Sequence, residues 1–132
     1  MKISRREDFS LILMNVLAKQ YSKDYIPLSE VATSTKLSPL FLKHIANRLK
    51  AKGLIESKEG MSGGYRLSRE PEKITVTDIL QSVGSELILP SCYSGDCRLK
   101  KDKCQVFAFW SVVNKKLFSF LKNITLADYS RI

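Results

Sequence analysis

A chain of 132 residues, 44% hydrophobic and 27% charged, has apolar material for one modest core and is neither disordered nor fibrous. Twenty-two Lys and Arg against thirteen Asp and Glu leave a formal charge of +9, which favours a polyanionic partner, be it nucleic acid or an acidic surface. The apolar runs fall short of the roughly 20 residues of a membrane span, and MKISRRED lacks a secretion signal's apolar core, so the expected location is the cytoplasm with no membrane partner.

Ser4, Arg5, Arg6 and Glu7 read as a capping box, and Phe9, Leu13, Val16 and Leu17 continue an amphipathic helix to about Tyr21. A polar loop ending at Pro27 follows, then a short helix opened by Ser29, with Val31 and Ala32 facing inward. Leu37 and Ser38 turn the chain into a third helix, Ser38 to Lys52, capped by Ser38 and with Pro39 at its first position, where a missing N–H costs nothing. Leu42, Ile45, Ala46 and Leu49 recur there at helical spacing, while Lys43, His44, Asn47, Arg48, Lys50 and Lys52 take the other positions. One face packs; the other carries side chains that hydrogen-bond base edges and neutralise phosphates. Alone, such a helix is as readily a solvated surface. Two helices joined by a tight turn, the second basic, make a helix-turn-helix.

Gly53 ends the basic helix as a left-handed cap. LIESK and YRLSR then alternate in polarity around the glycine-rich tip EGMSGG, a hairpin. A helix-turn-helix followed at once by a hairpin is a winged helix, which is far more specific than either half. In the wing, Gly63 and Gly64 allow close approach to a phosphate backbone, and Lys58, Arg66 and Arg69 surround the tip with positive charge. Pro71 closes the wing, and Thr75 to Asp78 form another capping box, opening a helix through about Val83 before Gly84.

ELILP leads into SCYSGDCRLKKDKC, a polar loop with no apolar period. Its cysteines, Cys92, Cys97 and Cys104, are spaced C-x4-C-x6-C; their odd number argues against a disulfide framework. Three uses fit them: iron–sulfur ligands short of a fourth, zinc ligands short of a fourth, or redox-sensing thiols among Arg98, Lys100, Lys101 and Lys103. From Gln105, QVFAFWSVVNKKLFSFLKNI reads as a helix whose stripe runs through Val106, Phe109, Trp110, Val113, Leu117, Phe120, Leu121 and Ile124. Phe107, Val112 and Phe118 widen that stripe beyond what a small domain readily covers, which points to a helix shared with a second copy. The pattern of the tail TLADYSRI does not decide between folding back and fraying.

Assembled, these pieces resemble, nearly end to end, the bacterial Rrf-two family of winged helix-turn-helix transcriptional regulators. The resemblance lies in MKISRREDFSLILMNVLA, LSEVATSTKLSPLFLKHIANRLKAKGLIES, the wing EGMSGGYRLSREPEKITVTDIL, the three cysteines, the long helix and TLADY. It implies a dimeric DNA-binding protein that, in many members, carries an iron–sulfur cluster on the loop cysteines. The family's cluster-assembly regulator spaces its cysteines x5 then x5 and takes a histidine three residues after the last, where Phe107 stands here. Its nitric-oxide sensors use an aspartate of the first helix, at the position of Asp8. The implied ligand set is therefore Cys92, Cys97, Cys104 and Asp8, the last reaching the partner subunit's loop, with Glu7 as second choice. Glu59 stands where a relative inserts an arginine into the minor groove, leaving that role to Lys58 or Arg66; Lys43 replaces a glutamate that chooses between site types. His44, the sole histidine, suits the DNA face better than a metal.

The expected fold is mainly α with a small β-hairpin: a winged helix over 1–84, a cysteine loop over 85–104, and a dimerisation helix and tail over 105–132. The expected function is homodimeric DNA-binding regulation sensing redox, nitric oxide or cluster status. A 2Fe–2S or 4Fe–4S cluster is the expected cofactor, and a duplex operator of dyad symmetry, with half-sites about 34 Å apart, the partner. Predicted DNA contacts are Ser38, Lys43, His44, Asn47, Arg48, Lys50, Lys58, Gly63, Gly64 and Arg66. Two alternatives are a winged-helix regulator controlled by thiol oxidation or a protein partner, and a small iron–sulfur redox protein. With no nucleophile–base pair or phosphate-cradling motif, and one histidine, no enzyme is expected.

Overall fold

The protein is described by a computed structural model covering residues 3–21, 24–85 and 103–132. Helix α1 spans Arg5–Lys19, α2 Leu28–Thr35 and α3 Pro39–Ala51; strands β1, Ile55–Lys58, and β2, Gly64–Leu67, follow, then α4, Val76–Ser82, α5, Gln105–Leu121, and α6, Leu126–Ser130. A single 3-10 turn, Pro71–Lys73, separates β2 from α4. Among the described residues no helix is long and apolar enough to cross a membrane.

The first helix starts where its capping box places it: the Glu7 carboxylate turns back to accept the Ser4 backbone N–H at 2.7 Å. It stops at Lys19, two residues short of the expected end. The second helix begins at Leu28, with Pro27 in the cap position instead of Ser29. Lys36 then takes a left-handed conformation, φ 59°, and this sharp corner turns α2 into α3. Helix α3 follows expectation closely, with the Ser38 hydroxyl accepting the Phe41 N–H at 3.4 Å and Pro39 in the first turn.

Strands β1 and β2 pair antiparallel, Ile55 opposite Leu67 and Lys58 opposite Gly64. Ile26 joins them as a one-residue third strand, exchanging both backbone bonds with Tyr65 at 2.8 Å. The core lies under α1: Leu13, Met14 and Leu17 meet Val31 of α2, Leu42, Ile45 and Leu49 of α3, Ile55 and Leu67 of the wing and Ile79 of α4, all closed to solvent.

The tail folds back. Leu126 of α6 is fully buried in that same core, and the backbone clamps the join, Val76 N–H to the Ile124 carbonyl at 2.9 Å and Leu126 N–H to the Ile74 carbonyl at 2.7 Å. The winged helix thus incorporates the end of the chain, and 105–132 divides between α5 and a returning element. Helix α5 ends at Leu121 because this clamp redirects Ile124.

Candidate nucleic-acid interface

Four residues of α3, Leu42, Ile45, Ala46 and Leu49, are sealed in the core, so the helix presents Leu40, His44, Asn47 and Ala51 outward at steps of three and four. Lys43 and Lys50 lie on the flank facing the wing. The Lys43 ammonium donates to the Tyr65 hydroxyl at 2.9 Å, which raises its pKa above the ordinary lysine value. Lys50 donates to the Ser57 hydroxyl at 2.6 Å. Both ammonium groups are thereby aimed along the groove between α3 and the hairpin instead of sampling solvent freely. Tyr65 and Ser57 were not among the predicted contacts, although Tyr65 sits in the wing motif; no local pattern signals that its phenol reaches α3.

Arg48 lies on the opposite flank. It is half-buried, and its Nη1 donates to the Val83 carbonyl at the end of α4 at 3.4 Å. Its visible role is joining α3 to α4. Arg66 pairs with Glu56 across the hairpin and stacks 4.4 Å above the Tyr25 ring, with Lys58 5.9 Å from the same ring. Lys58 and Arg66 therefore gather over Tyr25 on the tip side of the hairpin, where Met61 stands fully exposed. Gly63 and Gly64 have folding reasons of their own. A Cβ at Gly63 would lie 2.2 Å from the Lys58 carbonyl oxygen, and one at Gly64, φ +149°, would lie 2.3 Å from the Ile26 carbonyl.

On the metal side, Cys92 and Cys97 lie outside the described residues. Cys104 is half-buried at the cap of α5, where its Sγ accepts the Phe107 N–H at 3.5 Å. Asp8 is exposed in the first turn of α1 and borders an apolar cavity of about 310 Å³ with Ile3, Leu11, Leu80, Leu117 and Leu121. Glu7 differs sharply from its neighbour. It is 5% exposed, and although burial alone pushes its carboxyl up, the hydrogen bonds led by Ser4 hold it below the usual glutamate value. A carboxylate so engaged is poorly placed to leave for a metal, whereas the Asp8 carboxylate is exposed and the Cys104 thiol is the donor type an iron–sulfur group takes. Among the described residues no three such donors converge.

Helix α5 has no buried residue among those described; Phe109, Val106 and Phe120 are 58–65% exposed. It touches the winged helix along one edge, where Thr77 Oγ1 donates to the Phe118 carbonyl at 2.7 Å.

The profile of the Rrf2 family, described as iron-dependent transcriptional regulator, matches residues 3–131. An HTH-type transcriptional regulator, IscR of Klebsiella pneumoniae, is 27% identical over 129 residues, 97% of this chain and 78% of the relative. Among solved structures, CymR of B. subtilis, the global cysteine regulator, superposes with a TM-score of 0.76 at 26% identity, covering 99% of this chain and 97% of that one. The oxidized form of Staphylococcus aureus CymR gives 0.73 at 29% identity, covering 100% and 98%.

Proposed function

Because the chain belongs to the Rrf2 family of transcriptional regulators, DNA-binding proteins and not enzymes, we propose that it acts as a homodimer setting two α3 helices into successive major-groove turns of a dyad-symmetric operator. The observation that carries this reading is the division of α3: its apolar stripe is closed, and its open face, flanked by Lys43 and Lys50, lies beside a hairpin on a chain of +9. Ser38, His44 and Asn47 complete the face, and Lys58 of the wing supplies charge beside it. Arg48, Arg66, Gly63 and Gly64 act chiefly by holding this surface in shape. The exposed stripe of α5 supports a dimer in which a second α5 covers it. The cytoplasm is where such a protein meets its operator.

The cysteine segment is the sensor in this reading. Cys92, Cys97 and Cys104, with Asp8 contributed across the dimer, would hold an iron–sulfur cluster, which supplies a centre reactive toward oxidants and nitric oxide. The chain's own part is mechanical. Cys104 caps α5; α5 is bonded through Phe118 to Thr77 of α4; and α4 is bonded through Val83 to Arg48 of α3. A shift at the head of α5 thus has a contiguous route to the DNA-facing helix. A second reading, reversible thiol oxidation without a cluster, is favoured by the likeness to a regulator solved in an oxidized form.

Anaerobic purification, iron and acid-labile sulfide analysis and a visible spectrum decide between the two. Coloured protein with matching iron and sulfide, losing both in the Cys92→Ala, Cys97→Ala, Cys104→Ala variant and holding them weakly in Asp8→Ala, is the expected result. Colourless protein whose operator affinity changes with thiol oxidation would establish the second reading instead.

A further inference from the structure

The first turn of α3 holds two adjacent large apolar residues with opposite fates. Phe41 packs edge-on against Phe9, ring centroids 4.9 Å apart, whereas Leu40 stands 82% exposed. Helical spacing puts Leu40 on the same line as His44 and Asn47, one turn nearer the helix N-terminus, which is the end a recognition helix brings to base edges. A leucine there hydrogen-bonds nothing. The apolar feature that a base pair displays in the major groove is the C5-methyl of thymine. A second protein copy is a poor occupant for this spot: one exposed side chain, with Lys43 and His44 one turn on, offers far less than the roughly 800 Å² per partner of a stable interface.

Resting on the DNA-binding reading above, we propose that Leu40 is a specificity-determining residue that packs against a thymine methyl in each half-site. The base pair it selects is A·T, with thymine on the strand facing α3.

The test begins by selecting preferred duplexes from a random pool with the intact, anaerobically purified chain, then replacing each thymine singly by uracil, which deletes only the methyl. At one position per half-site uracil should weaken wild-type binding about fourfold, the worth of one buried methyl, and about fifteenfold when both half-sites are changed. Leu40→Ser should bind more weakly than wild type and be indifferent to uracil at that position, while keeping its response elsewhere. Its unfolding curve should match wild type, since the side chain is exposed. Silence of every thymine toward uracil in wild type, or retention of the wild-type response by Leu40→Ser, overturns the proposal. Failure to select any duplex overturns the DNA-binding reading itself and this inference with it.

Discussion

The apolar stripes of α3 and α5 are written with the same helical spacing, yet Leu42, Ile45, Ala46 and Leu49 are closed to solvent while Val106, Phe109, Val112 and Phe120 are half exposed or more. The difference follows from what surrounds them. Helix α3 is roofed by α1, flanked by α2 and α4 and followed at once by β1, so the chain supplies its own partners. Helix α5 meets the winged helix along one edge, and its remaining apolar surface stays open among the described residues. The surface left open on each helix tells its use: polar and basic but for Leu40 and Ala51 on α3, suited to a wet, charged ligand, and largely aromatic on α5, suited to a dry one.

The largest expected effect breaks the α5 side of this contrast. Phe109→Asp with Phe120→Asp places two charges in the stripe, each replacing a ring whose burial is worth about 1.5–3 kcal/mol. Sedimentation should find a dimer for wild type and a monomer for this variant, with operator affinity lowered about a hundredfold or more and the far-ultraviolet dichroism of the winged helix retained. A variant that remained dimeric would place the subunit contact elsewhere.

Leu49→Ala probes the other stripe. Truncating a sealed leucine costs about 2–5 kcal/mol through lost transfer energy and the cavity left behind. Urea unfolding should register that loss, while sedimentation of the still-folded fraction stays that of a dimer. The two variants together separate a stripe that stabilises the fold from one that builds the assembly; a mutual exchange of their effects would invert the comparison.

How far the sequence discloses these features depends on how local their causes are. The capping boxes at Ser4 and Thr75, the cap and proline opening α3, and Gly63 of the hairpin act within a few residues, and each element they imply is present. The boundaries of α2 and α5 depart from the sequence expectation by one and three residues because the turn at Pro27 and the clamp at Ile124 are set by β2 and α4, far along the chain. The sequence pattern leaves the return of Leu126 into the core open for the same reason. In the candidate interface, residue type correctly marks α3 as basic but cannot say that Arg48 turns to Val83, that Arg66 stacks on Tyr25 or that Lys43 is held by Tyr65. Nor does a pattern of apolar residues reveal that Leu40 alone of its stretch faces outward.

The smallest expected effect lies where the two regions meet, at the first turn of α1. Glu7 and Asp8 border the cavity closed on its far side by Leu117 and Leu121 of α5. Glu7 is buried and bonded to Ser4, and its carboxyl is held below the usual glutamate value of 4.5. A carboxyl depressed in the folded state binds protons more readily once unfolded, so its stabilising effect is fully present above the unfolded pKa and disappears as pH falls through the lower, folded one. Glu7→Gln keeps the reach and one acceptor of the capping box and removes only the charge. It should therefore cost about 0.5–2 kcal/mol at pH 7, the range of a capping interaction, and the difference from wild type should shrink steadily as urea midpoints are taken from pH 5 downward. Asp8→Ala, by contrast, removes an exposed side chain and should stay within about 0.5 kcal/mol of wild type at pH 7. If Glu7→Gln were instead neutral at pH 7, the buried carboxylate would not be what fixes the start of α1, and the separation between a structural Glu7 and an available Asp8 would collapse.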